Sequence, residues 1–193
     1  MKLIGTILSI LILLFFSLKF EKLSERNSIS NTENNYQEKI ENLIQNGFIK
    51  NKEISKTEDL IKELNKNPEE FYKNKGHRLG IGSSAYFLVE DETTVKNFEN
   101  GIVELENNVI LDTKYIFGNE IRDASNFISL TEFDSQLKLN DFTGQLNAKI
   151  RKNFENFSIK KGDKLKYIGA CQIYIDRLPI KELIVIPVLI EKI

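Results

Sequence analysis

Polar side chains that suit ligand binding are concentrated in the stretch FGNEIRDASNFISL, which runs from Phe117 to Leu130. It places Gly118 and Asn119 just before the pair Arg122 and Asp123, where a β-rich region ends. An arginine in such a place either holds backbone and carboxylate groups as a structural staple or presents its planar fork to a ligand's hydroxyls or carboxylate. The sequence leaves both alternatives open.

Nucleophilic or metal chemistry has little support elsewhere in the chain. Cys171 and His77 are the single cysteine and the single histidine, so no zinc-type ligand cluster is expected. Cys171 lies in a run with strand alternation, where a free cysteine usually fills space. The pair Asp91-Glu92 is predicted to lie in a solvated turn. The glycines of GHRLGIG precede a strand and not a helix, so they predict tight turning, not phosphate binding.

The charge balance argues against nucleic-acid binding. Of 193 residues, 27 are Lys or Arg and 28 are Asp or Glu. The two signs are interspersed, so the chain has no basic face of the kind that a phosphate backbone selects. We therefore expect no nucleic-acid partner. With no ligand cluster or phosphate-binding motif in the sequence, we also expect neither a metal nor an organic cofactor.

The first residues predict a membrane anchor. The run from Leu3 to Leu18 carries no charge, and as a helix extended by Phe20 it spans about 25 Å. No small-x-small motif follows it, so we predict an uncleaved anchor over residues 1–20 and a polar tether over residues 21–35. The expected location is the cytoplasmic membrane, crossed once, with the body facing the periplasm or cell exterior.

The body is predicted to be an α+β fold. Helical spacing over residues 36–75 predicts a small helical subdomain of three short helices. Residues 76–193 contain strand-like segments, one helix from about Asp141 to Phe154, and two final strands, the last carrying Pro187 at an edge or bulge. Strands on either side of one helix predict an OB-like β-barrel with an inserted helix.

Several of these residues occur in a recognisable order. Gly118, Arg122 and Asp123 are followed by Phe127, by Phe133 and Gln136, by Leu146-Asn147, by Gly169-Ala170 in a strand and by Pro187-Val188 near the end. This order resembles the domain-of-unknown-function family 2291, uncharacterised bacterial predicted periplasmic lipoproteins. The resemblance covers most of residues 36–193. Members of that family carry a lipobox cysteine after the apolar segment, and this chain has none there.

The resemblance implies an extracytoplasmic location, a helical lobe joined to an OB-like barrel, and genes beside sugar ABC transporters. It adds two polar positions to the candidate site, which is taken either to bind a ligand or to form a structural staple. That site consists of Arg122, Asp123, Asn119, Gln136 and Asn147.

The function expected from these observations is that of a non-enzymatic binding or accessory module tethered to the membrane. Its expected partners are ABC-transporter components or a small sugar-like ligand. Two alternatives belong to other classes: a structural envelope protein that docks a protein partner, and an envelope hydrolase that uses carboxylates. A hydrolase would need two inward carboxylates with raised pKa values in one cleft.

Overall fold

Helices open the described part of the chain. The computed structural model describes residues 36–77, 84–116, 118–155 and 157–193. The helices and 3₁₀ turns begin with α1 (Gln37–Asn42), which continues as a π-helical segment (Leu43–Ile49), and include α2 (Thr57–Lys66), α3 (Pro68–Lys75), α4 (Gly118–Ser125), a turn at Leu130–Glu132, α5 (Gln136–Phe154) and a turn at Ile175–Arg177. Pro68 occupies the first turn of α3, where its missing N–H costs nothing.

Five of the six described strands close into a barrel. The strands are β1 (Ser55–Lys56), β2 (Ser84–Glu99), β3 (Ile102–Leu105), β4 (Val109–Asp112), β5 (Lys164–Tyr174) and β6 (Leu183–Lys192). The pairing order β2-β3-β4-β6-β5 returns to β2 through a β2–β5 ladder, while β1 pairs with β2 from outside that ring. The β4–β6 pair is parallel and the other pairs of the ring are antiparallel. This is the topology of an OB barrel, with α4 and α5 inserted between β4 and β5.

Strand β5 separates two hydrophobic cores, because its alternate side chains point to opposite faces. Leu165, Tyr167 and Cys171 pack inside the barrel, together with Leu60 and Leu64 of α2. On the other face, Ile168 and Ala170 pack against residues of α1, α4 and α5. Residues 36–193 form one compact unit by their internal contacts, and the predicted boundary between a helical and a barrel subdomain at residue 76 stays a prediction.

Most of the predicted elements are present, and their limits need correction. Asp91-Glu92 does not form a turn, because β2 continues through both residues and pairs them with Tyr167 and Lys166 of β5. The last strand of the predicted meander ends at Asp112, and α4 was not predicted. Helix α5 begins five residues before the predicted start at Asp141.

Two details of the last strands agree with the sequence analysis. Strand β6 is apolar on both faces: Val185 packs inside the barrel and Ile186 packs outside it. The register of its pairing with β5 shifts next to Pro187, which lies opposite Gly169. A bulge therefore accommodates the proline, as predicted.

The predicted anchor over residues 1–20 and the tether over residues 21–35 lie outside the described residues, as does most of the GHRLGIG run. None of the helices within the described ranges is both long enough and apolar enough to cross a bilayer.

Candidate functional site

Arg122 and Asp123 form a buried ion pair on α4. Both side chains are almost inaccessible, with exposed fractions of 7% and 6%, and the Arg122 Nε donates to Asp123 Oδ1 at 2.6 Å. Arg122 Nη1 also donates to Thr143 Oγ1 of α5 at 3.2 Å. Thr143 in turn donates to the carbonyl oxygen of Leu139. Arg122 therefore links α4 to α5, which is the geometry expected of a structural staple.

Asn147 lies one turn further along α5 and touches α4 at Gly118. A Cβ atom on Gly118 would fall 2.3 Å from Asn147 Oδ1, so a larger residue there would require the Asn147 side chain to move. The Oδ1 atom is buried without a hydrogen-bond partner among the described residues. Asn147 thus belongs to the same helix interface as Arg122, with which the sequence analysis had grouped it.

Asn119 and Gln136 do not join this interface. Asn119 is exposed on α4, while Gln136 is exposed in the first turn of α5 and bonds Asn140 there. The structure therefore brings together Arg122, Asp123 and Asn147, and leaves the other two candidates on the surface.

A cleft of about 840 Å³ opens beside this interface, at the mouth of the barrel. It lies between the end of β4, helix α4 and the connection from β5 to β6, and we call it the mouth cleft. Its apolar wall is formed by Ile173, Leu178, Pro179, Ile180, Leu183, Ile184 and Ile186. Its polar edge is formed by Asp112, Glu120, Gln172 and Arg177, with Tyr174, Lys181 and Glu182 completing the lining.

Glu120 is the most perturbed carboxyl group of the mouth cleft. Burial, and then the negative charges of Asp112 and Asp123, raises its pKa from 4.5 to about 7. Asp112 has fixed partners, since its Oδ1 accepts from the backbone N–H groups of Lys114 and Tyr115. Within the described ranges, Glu120 has no hydrogen bond or ion pair that would hold its charge. Its proton is therefore available to whatever occupies the cleft.

The raised pKa of Glu120 makes stability depend on pH. The folded state binds this proton more tightly than the unfolded state, so the stability that Glu120 contributes should be full below pH 4.5 and should be lost as the pH rises through about 7. Glu120→Gln has no proton to lose, so it should remove about 1–3 kcal/mol of that decline in stability. The lower part of this range allows for solvent screening of a partly exposed group. Urea unfolding at several pH values measures it. The exposed Glu69→Gln should leave the slope unchanged, and an equal change in both variants would contradict the assignment.

Asp123 keeps a different environment from Glu120. Burial raises its pKa above the ordinary value, and the bond and charge of Arg122 offset part of that rise. Asp123 does not line the mouth cleft, so only one of these two perturbed carboxyls faces it.

The sequence analysis missed Glu120 although it lies between two of the candidate residues. An available signal was its place in the first turn of a helix that directly follows a strand ending in Asp112. This signal could be used only if α4 had been predicted. The connection between β5 and β6, which supplies much of the cleft, was also passed over because no polar motif marks it.

Cys171 and His77 are in separate environments. Cys171 is fully buried in the barrel, where burial raises the pKa of its thiol, and its Sγ lies 3.7 Å from the carbonyl oxygen of Phe87. His77 lies 3.7 Å from a carboxylate oxygen of Glu53, and burial lowers its pKa. The prediction that Cys171 fills space on an apolar strand face is confirmed. Within the described ranges, no group of three or more His, Cys, Asp or Glu side chains could hold a metal ion.

The strand order and the inserted helices define an OB-fold protein with a cleft at the barrel mouth. A solved structure supports this class: an OB-fold protein from Thermotoga maritima matches with a TM-score of 0.67 at 16% identity. The match covers 84% of this chain and 97% of that one. At this identity the likeness shows the fold alone. The comparison with curated proteins gives no significant match.

The family follows from the sequence match. The model of the family described as predicted periplasmic lipoprotein (DUF2291) matches residues 8–191, so the chain belongs to that family. The resemblance noted in the sequence is thereby confirmed. Membership supports a location outside the cytoplasm and at a membrane. The single-pass anchor remains a prediction.

Proposed function

We propose that this protein is a non-catalytic, extracytoplasmic binding module that takes a small, neutral, hydroxyl-bearing solute, such as a sugar, in the mouth cleft. The observation that carries the proposal is the cleft itself. Its volume of about 840 Å³ lies within the range of small-molecule sites, and it combines an apolar wall with a few polar groups at one edge.

The position of the cleft agrees with the general use of OB barrels. In this fold, the loop between the fourth and fifth barrel strands is one of those that bind ligands, including oligosaccharides. Here that loop connects β5 to β6 and supplies Arg177, Leu178, Pro179 and Ile180 to the lining. The fold therefore places a connecting loop at the proposed site, where binding residues are commonly found.

The lining suits a neutral solute. A sugar ring could lay its apolar face on the wall formed by Leu178, Pro179 and Ile184, with its hydroxyls towards Gln172 and Glu120. The amide of Gln172 offers both donors and an acceptor, and it already donates to Tyr86 Oη at 3.3 Å. The cleft lining sets Asp112, Glu120 and Glu182 against Arg177 and Lys181, so it has no excess of positive charge that would select an anion.

The arrangement of carboxyls favours binding over hydrolysis. A carboxylate glycosidase needs, beside one carboxyl with a raised pKa, a second carboxylate that is ionised and free to face the same sugar. Asp112 lines the cleft beside Glu120, but its Oδ1 is held by the backbone N–H groups of Lys114 and Tyr115. Asp123 has the raised pKa, but its carboxylate is bonded to Arg122 and does not line the cleft. We therefore propose a role without catalysis.

Thermal unfolding of the full-length protein in lipid nanodiscs, with a panel of free sugars, tests the proposal. At 100 times Kd a ligand should stabilise the fold by about 2.7 kcal/mol, a shift of several degrees. Ile184→Lys should remove the shift, because Ile184 is 58% exposed and lines the cleft.

Leu137→Lys is the matched control, because Leu137 is 75% exposed on α5 and does not line the cleft. It should keep the full thermal shift. No shift with any sugar, or equal loss in both variants, would count against the mouth cleft as the site.

We propose further that the module serves a solute transporter of the ABC type, in keeping with the sugar-transport context that the family resemblance implies. Docking of an envelope protein is the alternative, and the exposure of Leu137 favours it. Crosslinking in the native membrane distinguishes the two roles. If a transporter subunit is captured by both the wild type and Leu137→Lys, the accessory role is supported. If a non-transport envelope protein is captured by the wild type but not by Leu137→Lys, docking is supported.

A further inference from the structure

We propose that Glu120 recognises the solute in its protonated form, so that capture in the mouth cleft is linked to proton uptake. This inference rests on the proposed function and adds to it the residue that determines specificity and the condition under which binding occurs.

Of the three neighbouring carboxyls Asp112, Glu120 and Asp123, Glu120 is the one whose protonation state is not held by hydrogen bonds to described residues. Its two acidic neighbours already have partners: Asp123 accepts from Arg122, and Asp112 accepts from two backbone N–H groups. Glu120 has none among the described residues, and it lines the cleft. A solute hydroxyl is thus offered one carboxyl whose protonation state is still free to change.

The groups around Glu120 oppose its ionisation more than they support it. Asp112 and Asp123 are close enough for their negative charges to act on it. Arg122, two residues further along α4, is already bonded to Asp123 and Thr143. The other titratable or charged groups facing Glu120 or the same cleft are Tyr86 of β2, Cys171 and Tyr174 of β5, and Arg177, Lys181 and Glu182 of the β5–β6 connection and the start of β6.

Ligand binding should disfavour ionisation of Glu120 further. A solute that fills the cleft excludes water from Glu120 and brings no compensating positive charge, so it stabilises the neutral carboxyl further. The neutral carboxyl can donate its O–H to a solute oxygen and accept from a solute hydroxyl, whereas the carboxylate can only accept. Binding therefore draws a proton onto Glu120 at a pH near its pKa of about 7.

The test measures the Kd of D-glucose by calorimetry with the full-length protein in nanodiscs, between pH 5.5 and 8.5. The wild-type Kd should be constant at the acidic end and should rise by about tenfold per pH unit above 7. Glu120→Gln, which keeps a donor and an acceptor, should bind with a Kd that does not change with pH. Glu120→Ala should bind weakly at every pH.

Asp112→Asn supplies a second test that leaves Glu120 in place. It removes a nearby negative charge but keeps an oxygen for the two backbone N–H groups, so the rise in Kd should begin at a lower pH than in the wild type.

The outcomes separate this inference from the proposed function. Glucose binding that is independent of pH in the wild type, or a pH dependence that persists in Glu120→Gln, would overturn the role of Glu120 and leave the cleft as a binding site. No binding of D-glucose, or of any other sugar of the thermal-unfolding panel, by any variant at any pH would contradict both.

Discussion

Arg122→Ala is expected to lower the free energy of unfolding by about 2–4 kcal/mol, measured by urea denaturation of residues 36–193. Arg122 is buried and holds the carboxylate of Asp123 at 2.6 Å. Without it, Asp123 is left as a buried charge without its cation, and Thr143 of α5 loses its link to α4. The cost should be larger at pH 8 than at pH 5, because protonation of Asp123 removes the uncompensated charge.

Two controls distinguish the loss of a buried pair from the general loss of an arginine. Arg151→Ala, on the exposed face of α5, should change stability by less than about 0.5 kcal/mol. The double variant Arg122→Met with Asp123→Asn should recover more than half of the loss, because no unpaired charge remains. An Arg122→Ala protein as stable as the wild type would show that the pair is not a staple.

Gly169→Ala should destabilise the barrel by about 3 kcal/mol, at the upper end of the usual cost of overpacking. A Cβ atom there would lie 2.5 Å from Val185 Cγ1 and 2.6 Å from the carbonyl oxygen of Ile186. The second contact is with backbone, so it cannot be relieved by rotating a side chain. The clash falls at the bulge where β5 and β6 change register, and β6 must move away to accommodate it.

Gly144→Ala is the matched control for Gly169→Ala. Gly144 is exposed on α5, and a Cβ atom there would meet nothing within 4 Å. Alanine should therefore stabilise the helix by roughly 0.5–1 kcal/mol. Both variants can be compared by urea denaturation of residues 36–193, and a Gly169→Ala protein with wild-type stability would contradict the described packing of β5 against β6.

The barrel could be predicted because its strands carry strong local signals. Alternation in β5 placed Tyr167 and Cys171 on one face, and Pro187 in an otherwise apolar strand marked an edge or a bulge. Asp91-Glu92 was interpreted wrongly for a physical reason: two acidic residues favour a turn locally, but pairing of β2 with β5 keeps the chain extended there. Tertiary pairing overrides local propensity at such positions.

The site was harder to predict than the barrel. Arg122 and Asp123 attracted attention because of their chemistry, and the structure places them in a buried ion pair that links α4 to α5. Glu120 had no distinguishing pattern in the sequence. Its unusual proton affinity arises from burial beside Asp112 and Asp123, and Asp112 belongs to another element, so it depends on the folded arrangement.

The most direct test of the central claim is an NMR titration of the isotopically labelled full-length protein in nanodiscs with the sugar that gives the largest thermal shift. The account predicts that the perturbed amide signals belong to the residues that line the mouth cleft, which are Asp112, Glu120, Gln172–Tyr174, residues 177–184 and Ile186. Perturbations confined to α1 or α5, or none at saturating sugar, would contradict the account.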